Sequence, residues 1–267
     1  MSLNTDFIPF ARPSLGREEE EAVIRVLRSG WLTTGTEAKK FESEFAAYTG
    51  TDNALAVNSA TSGLHLALEA FGIGPGDKII TSPYTFTSTA EVIRYLGADP
   101  VFADIDPSTF NLSPLETAKL LEKDPSIKGI IPVHIGGHPC DMKALLELRN
   151  KYKTMLLEDA AHSFPVKSDG NFLGCIGDAG VFSFYATKTM TTGEGGMIVT
   201  NNTKAAKRMS VMRQHGIDRE VWDRYTSEKP SWQYSVVEAG FKYNMPDIAA
   251  AIGREQLKKA AMFLESR

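Results

Sequence analysis

The sequence predicts an α/β fold in which a mostly parallel seven-stranded sheet carries helices on both faces. Three observations predict it. Short apolar runs alternate with helical stretches from residue 54 onward, the pattern of a parallel sheet covered by its crossover helices. Small, hydroxyl-bearing or acidic residues follow several of those runs, at the edge where such sheets bind ligands. The chain has 267 residues and 42% hydrophobic content, enough to bury one large core.

The elements follow in order. Phe7-Ile8-Pro9-Phe10 is an apolar, proline-broken arm, suited to lie across a groove or a partner subunit, or to pack as a terminal strand. Arg17 to Leu27 places acidic residues in a first turn ahead of Val23, Ile24, Val26 and Leu27, a helix that Gly30 ends. Thr36 to Tyr48 spaces Phe41, Phe45 and Tyr48 as a second helix, closed by Gly50. Strands are then expected at Ala54–Val57, Lys78–Thr81, Val101–Ala103, Gly129–Val133, Thr154–Leu157, Ala179–Phe184 and Met197–Thr200. Helices are expected at Ser59–Ala70, Ser88–Leu96, Pro114–Leu121 and Asp141–Tyr152. Gly72-Ile73-Gly74-Pro75-Gly76 follows a helix and precedes a strand, the reverse of a dinucleotide-binding loop, and reads as a helix stop and turn.

Composition narrows the function. A net charge of -4 from 29 basic and 33 acidic residues offers nothing to attract nucleic acid or an anionic membrane. No apolar run approaches the roughly 20 residues of a membrane span, and Met1–Asp6 lacks the basic and apolar regions of a signal peptide, so a cytoplasmic protein with reduced Cys140 and Cys175 is expected.

The chemistry centres on Gly177 to Gly196, which sets Lys188 among small, hydroxyl and glycine residues; such a lysine is either a surface residue or a covalent catalyst. Three other strand ends bear on the choice. Asn58-Ser59-Ala60-Thr61-Ser62-Gly63 opens a helix with small residues, as a phosphate site does, although Ser59 or Thr61 is also an ordinary helix cap. Tyr84 and Phe86 are loop aromatics that could stack on a flat heterocycle or join the core. Glu158-Asp159-Ala160-Ala161-His162 brings a carboxylate able to keep a pyridine nitrogen protonated, with a histidine three residues on. His134, His138 and Asp159 leave a metal-dependent hydrolase as the competing reading, but their spacing matches no paired zinc motif. Phosphate anchoring, ring stacking, nitrogen protonation and an amine to hold an aldehyde are together what pyridoxal 5'-phosphate requires. Lys188 is then the Schiff-base lysine and the acid/base of the reaction.

These motifs, with Gly30-Trp31-Leu32-Thr33-Thr34-Gly35, Ser183-Phe184-Tyr185-Ala186-Thr187-Lys188, Gly193-Glu194-Gly195-Gly196 and Gly240-Phe241-Lys242-Tyr243-Asn244-Met245, resemble the DegT/StrS family of sugar-nucleotide aminotransferases of fold type I. The resemblance implies that Ala60, Thr61 and Ser183 contact the cofactor phosphate, that Phe86 stacks on the ring, that Asp159 meets its nitrogen, that His162 lies near its hydroxyl and that Lys188 holds it covalently. It implies further that Asn244 reaches the phosphate of a neighbouring subunit, hence a homodimer with shared active sites. Transfer of an amino group from glutamate to a nucleotide-linked keto sugar is the implied reaction, for cell-surface polysaccharide or related sugar biosynthesis. The stretch from His215-Gly216-Ile217-Asp218 through Trp232-Gln233-Tyr234 to Lys242-Tyr243-Asn244 is most similar to the branch acting at sugar C4. Residues 1–245 correspond to the cofactor-binding large domain with its arm, and 246–267 to the start of the helix leading into a small C-terminal domain that is largely absent. A cofactor-binding but catalytically incompetent fragment or regulatory homologue is the alternative.

Overall fold

Helices α1 (Arg17–Ser29) and α2 (Thr36–Thr49) end at Gly30 and Gly50, whose φ values of 74° and 76° lie in the left-handed region that glycine adopts without cost. The computed structural model describes residues 8–218 and 234–266; Phe7 of the arm, residues 1–6, and Trp232 and Gln233 of the stretch similar to the C4 branch lie outside the described residues. From residue 8 the arm is not a strand: Ile8 and Phe10 are almost fully exposed.

The alternating part runs β1 (Asn53–Val57), α3 (Ala60–Ala70), β2 (Lys78–Thr81), α4 (Ser88–Tyr95), β3 (Asp99–Phe102), α5 (Pro114–Lys123), β4 (Gly129–Ile131), α6 (Met142–Tyr152) and β5 (Met155–Asp159). A two-stranded hairpin, β6 (Lys167–Ser168) and β7 (Asn171–Phe172), precedes β8 (Ala179–Ser183), β9 (Gly196–Thr200) and α7 (Thr203–Met212); α8 (Asp247–Lys258) and α9 (Ala260–Glu265) close the described chain. The seven-stranded sheet has the order β1-β9-β8-β5-β4-β2-β3. Its strands are parallel except β9, which runs antiparallel to both β1 and β8. From β2 the chain moves outward to β3, then returns across β2 to β4 and β5, and that reversal opens a crevice at the carboxyl ends of the strands.

Alternation along each strand sorts the core into two layers. Leu55, Val57, Ile79, Leu157, Val181 and Ile198 pack with α3, α4 and α7, whereas Ile80, Leu156, Phe182, Met197 and Val199 point to the other face. There α2 supplies Phe41 and Phe45, which meet Phe182 and Phe184 at ring-centroid distances from 5.2 to 5.8 Å. Each such buried aromatic contributes about 3–5 kcal/mol as judged by truncation to alanine. Helix α8 fits against Phe41 because Gly253 has no side chain; a Cβ there would stand 2.7 Å from the ring. Asp247 of α8 also accepts from Gly35 N (2.7 Å), Glu37 N (3.2 Å) and Ala38 N (3.0 Å), capping α2 from a distant part of the sequence. At the sheet edge, Glu42 pairs with Arg213 and accepts from Ala56 N at 2.8 Å, while Arg213 donates to Ala56 O at 3.0 Å, so side chains occupy the outer groups of β1.

Prolines bear on two of the strand bounds that differ from expectation. β3 begins earlier, with Pro100 tolerated because the strand lies at the sheet edge. β4 stops at Ile131 because Pro132 has no N–H for the ladder. Helix α7, capped by Asn202 on Ala205 N, and the β6–β7 hairpin were not anticipated, although Asp169-Gly170 with φ of 49° and 84° is a strong two-residue turn. Among the described residues no helix is long and apolar enough to cross a membrane.

Candidate functional site

The carboxyl ends of β1, β5 and β8 converge with the loop that joins β8 to β9. Strand β5 ends on two buried carboxylates with different duties. Glu158 accepts four hydrogen bonds: Oε2 from His134 Nε2 (2.9 Å) and Gly174 N (2.8 Å), Oε1 from Ile176 N (2.7 Å) and Gly177 N (2.6 Å). His134 Nδ1 accepts from Cys140 N at 3.1 Å, which puts the ring proton on Nε2 and directs it at Glu158. His134 thus commits both nitrogens to fixing the strand end, and among the described residues no group of three or more His, Cys, Asp or Glu is placed to hold a metal ion.

Asp159 takes other partners. Its Oδ2 accepts from Thr89 Oγ1 of α4 at 2.8 Å and its Oδ1 from Ala161 N at 3.2 Å. Neither Thr89 nor Glu158 was singled out in the sequence, since both act through partners distant along the chain.

Lys188 sits in the loop 184–195, which is closed on itself. Thr192 N and Thr191 Oγ1 both donate to Phe184 O (3.0 and 2.9 Å), and Phe184 N donates to Gly195 O (2.9 Å). A Cβ on Gly195 would lie 2.3 Å from Thr192 Oγ1 and 2.7 Å from Met245 Cε, so only glycine permits this closure. The loop presents half-buried Lys188 to a cavity of about 280 Å³, also lined by His162, Ser183, Gly136 and Phe10 of the arm. Burial lowers the Lys188 pKa from its ordinary value, with the Asp159 charge opposing. His162 stands at the rim, where Gly136 N approaches its Nδ1 at 3.4 Å. Its pKa is lowered too, first by burial and then by Lys188, again against Asp159. A lysine and a histidine of lowered pKa, both within the field of one carboxylate, are what a proton-transferring site requires.

The remaining expected residues lie around this cavity. Ser59 caps α3 by accepting from Ser62 N at 3.1 Å, leaving the N–H groups of Ala60 and Thr61 without an acceptor among the described residues. Gly196 makes room for this turn: a Cβ there would stand 2.8 Å from Ala60 N. Asn58 anchors the turn by donating from N to Tyr243 O (2.8 Å) and from Nδ2 to Lys242 O (3.3 Å). Phe86 lies in the loop between β2 and α4 with 73% of its surface exposed. Asn244 bridges to Val57, donates from Nδ2 to Thr34 Oγ1 and leaves a buried Oδ1 without a partner, so its amide is directed within its own chain.

This donor set fits pyridoxal phosphate. Helix-start N–H groups suit a phosphate, a buried carboxylate suits a ring nitrogen, an exposed aromatic offers a stacking face, and a lysine of lowered pKa gives up its proton more readily than an ordinary one. The cysteines have no part in it. Burial, reinforced by Glu158, pushes both Cys140 and Cys175 up to about 12. At pH 8 only about one thiol in 10⁴ is ionised at that pKa, so iodoacetamide should leave the native protein unmodified while alkylating the denatured chain at both positions, as peptide mass spectrometry would read.

Comparison with known proteins agrees with the geometry. The sequence pattern of the DegT/DnrJ/EryC1/StrS aminotransferase family matches residues 13–267. The spore coat polysaccharide biosynthesis protein SpsC of Bacillus subtilis is 47% identical over 253 residues, covering 95% of this chain and 64% of SpsC. An uncharacterized protein of Methanocaldococcus jannaschii is 46% identical over 265 residues, 99% of this chain and 68% of its own length. Among solved structures, an aminotransferase from Psychrobacter cryohalolentis superposes with a TM-score of 0.87 at 36% identity, over 95% of this chain and 64% of that one. Helicobacter pylori PseC, an aminotransferase involved in the biosynthesis of pseudoaminic acid, gives 0.87 at 32% identity over 95% and 66%. Spr1654 of Streptococcus pneumoniae, in its PLP-form, gives 0.87 at 32% over 96% and 67%. The chain thus spans about two thirds of the length of these relatives.

Proposed function

Because the chain belongs to the DegT/DnrJ/EryC1/StrS aminotransferase family, whose structural neighbours are pyridoxal-phosphate-dependent enzymes, we propose that it transfers an amino group from glutamate to C4 of a nucleotide-linked keto sugar destined for a surface polysaccharide. The observation that carries the proposal is Lys188, a lysine of lowered pKa facing a cavity with His162 and Ser183. The names of SpsC and PseC support a sugar substrate.

Bound pyridoxal phosphate supplies an electron sink for the pair of electrons left when a carbon beside the amino group loses its proton. The chain's residues do the rest. Lys188 Nζ, free of its proton at a lower pH than an ordinary lysine, holds the aldehyde and then carries the proton from the donor carbon and back. Asp159 keeps the ring nitrogen protonated through charge and direct hydrogen bonding. Ala60 and Thr61, with Ser183, bind the phosphate at the start of α3, Phe86 stacks on the ring and His162 hydrogen-bonds its hydroxyl. Asn244 serves the phosphate of a neighbouring subunit in a homodimer with shared sites. The division of the chain at residue 245, with 246–267 leading into a smaller second domain, belongs to the same proposal.

The test takes protein loaded with cofactor and follows its conversion to the amine form with a panel of amino donors, then its return with candidate nucleotide-linked keto sugars. Glutamate should convert it and a 4-keto sugar should restore it. Conversion by no donor would leave cofactor binding without catalysis, and restoration only by 3-keto sugars would move the position of transfer.

A further inference from the structure

One residue ties together two parts of the crevice that come from different strands. Thr89 of α4 is fully buried, and its hydroxyl donates to Asp159 Oδ2 at 2.8 Å. Since a hydroxyl has one proton, the 2.8 Å contact between Thr85 Oγ1 and Thr89 Oγ1 must then run from Thr85 to Thr89. The result is a directed relay, Thr85 to Thr89 to Asp159. The main chain of Thr89 acts as well: its N–H donates to Phe86 O at 3.2 Å, closing the turn on which the exposed Phe86 ring is mounted. Asp159 and Phe86 are thus held in register by a single side chain and its own backbone.

We propose that Thr89, backed by Thr85, is a positioning residue that sets the Asp159 carboxylate and the Phe86 turn against each other, so that one planar heterocycle meets both. The inference rests on the functional reading above and deepens it. Asp159 has no other side-chain donor among the described residues, and its second oxygen is held by the backbone of Ala161. A hydroxyl donated to a carboxylate both orients it and favours its ionised form, and a donor that itself accepts a hydrogen bond is the stronger for it. The other titratable groups coupled to Asp159, namely Lys188 and His162 at the cavity and the buried Cys140, are left intact by changes on α4.

The test compares the wild type with Thr89→Val, Thr89→Ser and Thr85→Val, reading the cofactor dissociation constant by equilibrium dialysis and the pH profile of the glutamate half-reaction. Thr89→Val should weaken cofactor binding about tenfold, the factor expected for one hydrogen bond to a charged group. It should also move the acid limb of the profile to higher pH, because Asp159 loses a donor that favours its charge. Thr89→Ser should restore both readouts, and Thr85→Val, which leaves the bond to Asp159 in place, should shift them in the same direction by less. Wild-type affinity and an unmoved acid limb in folded Thr89→Val would overturn the inference, as would a Thr89→Ser variant no better than valine. Should Thr89→Val fail to fold, Thr85→Val decides: no shift at all counts against the relay. A wild type that binds no cofactor would overturn the functional reading, and this inference with it.

Discussion

Lys188→Ala is expected to abolish turnover, by a factor of at least about 10⁴, because in the proposed reaction it removes both the amine assigned to hold the cofactor and the group assigned to move the proton. The loss should not be a loss of fold. Lys188 is half-buried in a loop whose closure is made by Thr191, Thr192, Phe184 and Gly195, so the melting temperature should stay within a few degrees of wild type. Lys188→Arg should be nearly as damaging, since a guanidinium keeps the charge and cannot supply a free amine. The pH dependence has a definite sign. Burial lowers the folded pKa of Lys188, so attachment of added cofactor should persist to lower pH than an ordinary lysine allows and fall away as pH drops through that lowered value. Asp159→Asn removes the opposing charge and should extend attachment to lower pH still. Stopped-flow absorbance across a pH series separates these outcomes.

Glu158→Ala should be the most destabilising change near the site. It leaves the N–H groups of Gly174, Ile176 and Gly177 and the Nε2 proton of His134 without their acceptor in a fully buried position. Breaking a buried pair of this kind costs about 3–5 kcal/mol, a large part of the 5–15 kcal/mol that usually separates folded from unfolded chains. Glu158→Gln keeps one oxygen and turns an amide toward donors, so it should lie between alanine and wild type. Urea denaturation of both variants, beside Glu147→Ala on the exposed surface of α6, gives the comparison; the surface change should stay within about 0.5 kcal/mol. A Glu158→Ala protein as stable as Glu147→Ala would mean that the network contributes nothing.

The contrast between Glu158 and Asp159 shows what was legible in the sequence. Asp159, Lys188 and the Ser59–Gly63 turn stand out as candidates in the sequence because strand ends, small residues and one isolated lysine are local signals, and the sheet rule states which edge they share. Glu158 carried no such signal, because its partners lie 16 to 24 residues away and three of the four are backbone N–H groups that almost any residue type would supply. Thr89 was hidden for the same reason: its acceptor is 70 residues distant, and a threonine in the first turn of a helix ordinarily reads as a surface residue. Asp247 as the cap of α2, more than 200 residues upstream, is a further case. The end of β4 was misplaced by an apolar run that continues through Pro132, where hydrophobicity and hydrogen-bonding capacity part company, whereas β3 was started too late because Asp99-Pro100 reads as a break although an edge strand tolerates it. Asn244 was readable only through resemblance, and within one chain its amide turns to Thr34.

The account stands on Lys188 as the residue that carries the cofactor, and one measurement addresses it directly. The protein is incubated with pyridoxal phosphate, reduced with borohydride to make any lysine attachment permanent, digested and mapped by mass spectrometry. The predicted result is a single stoichiometric adduct on the peptide containing Lys188, absent from Lys188→Ala. An adduct spread over surface lysines, or one that persists undiminished in Lys188→Ala, would contradict it.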